Sequence, residues 1–194
     1  FFININQVVP GQAIVHNITA KNSFDYAYSG GTLSFTPSKF LNIQLGYDKN
    51  FIGDGYRSLL LSDNAVNYPF LKLTATLGPI RYMAMYAQFT DDYGIVSDDS
   101  TPFPKKNGIF HYLSWNANKN LNVGVFESVI WKPGDIDFSY LNPIIFAHPV
   151  DQANGSPGKS LVGFTGSYKF LNHYVSGAAK GSSLQVSQRK GVAL

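Results

Sequence analysis

Apolar and polar residues alternate along this chain in short runs punctuated by turn-forming clusters. Leu41-Asn42-Ile43-Gln44-Leu45-Gly46-Tyr47-Asp48 is apolar at each odd position and polar or small at each even one. That is period two, the mark of a strand with one dry and one wet face. The pattern recurs at Leu71-Lys72-Leu73-Thr74-Ala75-Thr76-Leu77 and Leu121-Asn122-Val123-Gly124-Val125. Aromatic-rich strands are predicted over 81–89, 109–116 and 161–168.

The connections carry more information than the strands, because short ones alternate with long ones. Tight turns are predicted at Pro37-Ser38-Lys39, Gly78-Pro79, Ala117-Asn118-Lys119 and Tyr168-Lys169-Phe170. Between them, 49–68, 91–107 and 131–159 are longer than loops usually run in compact domains. Short turns at one rim and long loops at the other are the habit of outer-membrane barrels. The predicted fold is therefore all-β, an antiparallel up-and-down transmembrane β-barrel. A soluble sandwich, whose apolar side faces a core where the barrel's faces lipid, is the alternative that alternation by itself leaves open.

An internal repeat supports hairpins as the unit. Leu33-Ser34-Phe35-Thr36-Pro37-Ser38-Lys39-Phe40-Leu41-Asn42 aligns with Leu113-Ser114-Trp115-Asn116-Ala117-Asn118-Lys119-Asn120-Leu121-Asn122, and a third copy is expected from Val162-Gly163-Phe164-Thr165 to Leu171-Asn172. The aromatics Phe35, Trp115 and Phe164 are expected near the turns, at the level of an interfacial girdle. Two features strain the pattern. Glu127 falls in the apolar register of Leu121, Val123 and Val125, which places it near the outer rim or past a bulge if that side meets lipid. The stretch 80–89 is apolar on both faces, as for a strand packed on a plug or a neighbouring element.

Composition narrows the classes. Charged residues are 14% of the 194, against roughly 25% in soluble domains. The net charge of +3 comes from scattered cations with only Lys105-Lys106 adjacent, so nucleic acid is not an expected partner. Cys is absent, which removes disulfides, thiolate metal sites and Cys nucleophiles. No run approaches the roughly 20 apolar residues of a membrane helix. Phe1-Phe2-Ile3-Asn4 lacks the features of a signal peptide and is read as a mature or internal start.

Chemistry-bearing motifs are few. Ala153-Asn154-Gly155-Ser156-Pro157-Gly158-Lys159-Ser160 loosely matches a phosphate loop, but strand-like residues follow where a helix is required, so a polar loop entering a strand is the better reading. Asp91-Asp92 and Asp98-Asp99 lack calcium-loop spacing. His16, His111, His148 and His173 lack metal-ligand spacing, and no serine sits in a nucleophile elbow. No catalytic residue, metal or cofactor is expected.

The densest segment runs from Gly46 through Asn50-Phe51-Ile52-Gly53-Asp54-Gly55-Tyr56-Arg57-Ser58-Leu59-Leu60-Leu61-Ser62-Asp63 to Tyr68-Pro69-Phe70. Gly53 and Gly55 around Asp54 predict an irregular turn. One helical turn is expected over 58–63, with its leucines packed inward. Asp54, Tyr56 and Arg57 on this loop fit ligand contact or a structural latch equally. With Phe126-Glu127 before Trp131 and with Tyr140-Leu141-Asn142-Pro143, this segment resembles the signature of capsule-assembly Wzi-type outer-membrane proteins, above all their Bacteroidetes branch of gliding-motility RemB-like proteins. Asp48, Asn50, Phe51, Gly53, Asp54, Gly55, Tyr56, Arg57 and Ser58 carry the family motif, and the likeness covers about 26–174.

The resemblance implies a large monomeric barrel in the outer membrane, in contact with its lipid and associated with surface polysaccharide. Family members are longer, so the chain is read as a partial segment of a larger barrel. It divides into an N-terminal segment (1–23), barrel hairpins with long extracellular loops (24–174) and an atypical, small-residue C-terminal segment (175–194). The expected function is non-enzymatic: binding or organising capsular polysaccharide or exopolysaccharide, with Asp54, Tyr56, Arg57, Trp131 and Tyr140 as ligand contacts. The alternatives are a barrel subunit of a gliding-motility or secretion assembly, with other outer-membrane proteins as partners, and a diffusion porin.

Overall fold

The structure is a computed structural model and describes residues 8–9, 13–20, 23–53, 58–90, 104–132, 159–170, 173–180 and 183–190. The alternating runs become strands: β1 (Val8–Val9), β2 (Ala13–Ala20), β3 (Ser23–Tyr26), β4 (Gly31–Ser38), β5 (Leu41–Asp48), β6 (Tyr68–Leu77), β7 (Ile80–Thr90), β8 (Lys105–Asn116), β9 (Leu121–Trp131), β10 (Lys159–Phe170), β11 (His173–Lys180) and β12 (Ser183–Lys190). β1, β2 and β3 pair as a small antiparallel sheet, and β4 to β12 form one nine-stranded sheet in strict sequence order. Each strand pairs antiparallel with the one before it, so the chain is an all-β, up-and-down meander with no helix among the described residues. The sheet is open: β4 and β12 are its edges, and no pairing joins them among the described residues.

The rim asymmetry holds for most of the meander. Leu77 pairs with Ile80 around Gly78-Pro79, and Gly78 has φ +58, the positive value that primed hairpin turns require. Lys39-Phe40 and residues 117–120 close two more short connections at the same rim. The opposite rim carries 49–67, 91–104 and 132–158, together with the two-residue link from β11 to β12. Pro37 lies inside β4, where the pairing with β5 shifts between Phe35 and Ser38. Proline, lacking an N–H, is tolerated at such an irregularity on an edge strand.

One predicted turn is misplaced. Tyr168-Lys169-Phe170 belongs to β10, which pairs through Phe170 with His173, so the connection is at 171–172. Cross-strand partners on both sides, Leu121 and Val175 for Tyr168, hold this stretch extended despite its turn-like reading. Phe164 consequently lies in mid-strand, and the third repeat copy is not equivalent to the first two. The first two do match in detail. Asn42 Nδ2 donates to Ser34 Oγ and Thr36 Oγ1, each at 2.9 Å. Asn122 Nδ2 donates to the corresponding Ser114 Oγ (2.8 Å) and Asn116 Oδ1 (2.7 Å).

Apart from the shift beside Pro37, continuous register sorts side chains onto two faces. The row Leu33, Leu45, Leu71, Tyr86, Ile109 and Val129 runs across β4 to β9 on one face, here called outward. At its flanks this face is open, with Leu33 71%, Phe35 62% and Phe164 58% exposed. At its centre, over β7–β9, it is closed, and Ala84, Ile109, His111, Glu127 and Val129 are buried. Glu127 is therefore neither at a rim nor past a bulge. It sits in mid-β9, 1% exposed, opposite His111 on one side and Val162 on the other. The continuous pairing of β9 with both neighbours leaves no irregularity that could turn it away.

Candidate functional site

The other, inner face is crossed by the connection between β5 and β6. Ile52 and Leu60 from this connection join Tyr68, Phe70, Met85, Ala87, Phe110 and Phe126 in one buried cluster. Leu60 reaches as far as β10: a Cβ on Gly163 would lie 2.7 Å from Leu60 Cδ2. The strap thus spans four neighbouring strands beyond β6. Beneath it the aromatics interlock, with ring centroids 4.5 Å apart for Tyr68 and Phe89, 5.7 Å for Phe89 and Phe110, and 6.2 Å for Phe110 and Phe126. Tilted and edge-on contacts of this kind add to the effect of area burial.

Local chemistry fixes the strap's path. Ile52 and Leu61 exchange two backbone hydrogen bonds, of 3.0 and 3.3 Å, which makes an isolated antiparallel bridge. Inside that closure Gly53 has φ +123, a region that side chains disfavour, and a Cβ there would also collide with Ser58. The Ser58 hydroxyl donates to the Ile52 carbonyl and accepts the Leu60 N–H at 3.0 Å. The helical turn expected over 58–63 does not form. Leu61 is committed to the bridge, and the Ser58 hydroxyl takes the backbone groups that a helix would use itself. The ends are tied as well. The Asn50 N–H donates to Tyr68 Oη at 3.0 Å, and Asn67 Nδ2 donates to the Ser29 carbonyl at 2.5 Å.

Of the residues that carry the resemblance, Asp48, Asn50, Phe51, Gly53 and Ser58 are thus placed at or inside the strap. Asp54, Gly55, Tyr56 and Arg57 lie outside the described residues, as do Tyr140, the two Asp pairs and 153–158. Lys159 and Ser160 open β10, so a strand follows the loop where a phosphate site would need a helix. Trp131 ends β9 on the outward face, half-buried against Ile109 and Val129. With Tyr86, Leu45 and Leu71 it lines an apolar cleft of about 480 Å³. The sheet therefore separates Trp131 from the strap, and the two do not form one site.

No family model matches this chain, and neither a curated protein nor a solved structure does.

Toward the short turns the inner face changes character. A second cleft, of about 400 Å³, opens there among β4–β7, with Phe51 at its edge. Lys72 and Arg81 line it together with Gln44 and Thr74, and its described lining contains no carboxylate. Lys72 Nζ donates to Asn50 Oδ1 at 2.9 Å, which couples the cleft to the strap. Sequence reasoning missed this cluster. Lys72 was legible as a wet-face position, but its proximity to Arg81 depends on the pairing of β6 with β7. Among the described residues no group of three His, Asp or Glu side chains is placed to hold a metal ion.

Proposed function

We propose that this chain forms part of the wall of an outer-membrane β-barrel, and that it holds or organises capsular polysaccharide or exopolysaccharide at the cell surface without catalysing a reaction. The carrying observation is the outward face, whose flanks leave Leu33, Phe35, Leu45 and Phe164 open while Asn42, Gln44, Lys72 and Arg81 turn to the opposite side. In water such a surface is a liability; against hydrocarbon it is the expected one. β7 to β10, at 11 or 12 residues, are long enough to span a bilayer core at the usual tilt. The polysaccharide part rests on the resemblance of the 50–63 segment to the Wzi-type signature. The strap supports it physically, since its described parts are tied to the inner face by the Ile52–Leu61 bridge and by the bond from Asn50 to Tyr68.

A second reading, a subunit of a gliding or secretion assembly, draws on the outward face being unlike a uniform lipid-facing wall. At its centre Glu127 and His111 are buried within the chain itself, where lipid would be an unsuitable neighbour. A diffusion porin draws less support, because the strap lies across the face that would line its channel.

The test uses the full-length protein. It should require detergent or lipid to remain folded, and alanine at Tyr56 and Arg57 should lower retention of surface polysaccharide without loss of the folded barrel. Folded, monodisperse protein in plain buffer would end the membrane reading. Unchanged retention by the folded double variant would end the polysaccharide reading, and a stoichiometric protein partner on extraction would favour the assembly.

A further inference from the structure

We infer that the polar cleft on the inner face is a binding site for an anionic saccharide, a sugar segment bearing carboxylate, sulfate or phosphate. This rests on the polysaccharide reading for the sugar, but the charge and the place come from the cleft itself, which opens toward the short-turn rim and not toward the long loops. Three cations, Lys39, Lys72 and Arg81, line one open cleft whose described lining has no acid. Like charges brought together in a partly desolvated cleft repel, and an anion between them removes that penalty and gains charge-assisted hydrogen bonds. No described residue pairs with Arg81. Lys72 spends one donor on the neutral Asn50 Oδ1 and keeps others, since an ammonium group has three.

The remainder of the lining suits a sugar. Gln44, Thr74 and Thr76 offer donors and acceptors at one side. Phe51, 40% exposed, offers an apolar ring at the edge, a surface that the flat C–H face of a pyranose can cover. Next to the cleft, Asn50 is buried and holds Lys72 Nζ through its Oδ1 at 2.9 Å, which fixes the ammonium at the strap end of the cleft.

The experiment measures binding to the full chain in detergent by calorimetry with three probes: hexagalacturonate, uncharged maltohexaose and inorganic phosphate. The variants are Arg81→Gln, an exposed position whose change leaves the packed half untouched, and Lys72→Gln. We expect hexagalacturonate to bind, to weaken with added salt, and to lose about tenfold in affinity in Arg81→Gln, the loss of one charge-assisted contact. Maltohexaose should bind at least about tenfold more weakly than the charged oligomer. Equal binding of the two oligosaccharides, or hexagalacturonate binding indifferent to Arg81→Gln, overturns the anionic cleft and leaves the polysaccharide reading standing. Arg81-dependent binding of phosphate with no binding of either oligosaccharide overturns the saccharide assignment. Binding of none of the three overturns the cleft as an anionic-saccharide site, while the polysaccharide reading stands or falls on its own retention test.

Discussion

On the inner face, the half toward the long connections and the half toward the short turns share β6 and β7 yet pack in opposite ways. In the first half, Phe70, Met85, Phe110 and Phe126 are sealed beneath Ile52 and Leu60. In the second, Asn42, Thr74 and Arg81 line an open, charged cleft. On β8–β10 one glycine marks where the dry half gives way to polar side chains. Tyr112 on β8 and Thr165 on β10 share a hydrogen bond of 3.0 Å, and Gly124 on the strand between them leaves the room for it: a Cβ there would lie 2.5 Å from Thr165 Oγ1 and 2.7 Å from the Tyr112 hydroxyl. The difference teaches that strand pairing makes the wall, whereas the strap decides which part of its inner side is dry.

The largest way to break that division is to hollow out the dry half. Phe126 is 0% exposed, at the centre of the cluster, so Phe126→Ala should destabilise the protein by about 3–5 kcal/mol, the usual cost of deleting a buried aromatic. Denaturant unfolding in lipid or detergent would measure it. A loss below about 1 kcal/mol would mean that the strap does not seal this half, since exposed positions rarely cost more.

The next effect acts at the boundary. Gly124→Val should cost about 1–3 kcal/mol by overpacking, because it pushes Tyr112 away from Thr165 across the strand between them. The cost should shrink in part when Tyr112→Phe is already present, because the Tyr112 hydroxyl is then gone while Thr165 Oγ1, 2.5 Å from the new Cβ, remains. Equal costs in the two backgrounds, read from the same unfolding curves, would place the strain elsewhere.

Much of this wall was legible in the chain itself. Period two in 41–48 and 71–77 gave the strands and their faces, and Gly78-Pro79 gave its turn, because these depend on neighbours in sequence. What depended on partners was not legible. Tyr168-Lys169-Phe170 reads as a turn until β9 and β11 flank it. Residues 58–63 read as helical until Ile52 comes back to Leu61. Lys72 and Arg81 meet only once the register of β6 and β7 is known. Glu127 is the clearest case: a carboxylate in an apolar register predicts an escape to a rim, yet β9 keeps its pairing and buries it opposite His111.

The smallest effect compares the two equivalent hairpins at the wet rim. Asn122 and Asn42 make the same pair of hydrogen bonds, but the serine that Asn122 holds, Ser114, is buried, whereas Ser34 and Thr36 stand open to solvent. Asn122→Ala removes a donor from a group that water reaches poorly, so it should cost about 1 kcal/mol. Asn42→Ala exchanges its partners' bonds for bonds to water and should cost only a few tenths, roughly the scale of a neutral surface change. The double variants Asn122→Ala/Ser114→Ala and Asn42→Ala/Ser34→Ala isolate each coupling by a cycle. A larger coupling at Asn122 is expected, because the same geometry is worth more where solvent is excluded. Equal couplings would mean that the wet half is uniformly hydrated up to β9, and the boundary at Gly124 would lose its meaning.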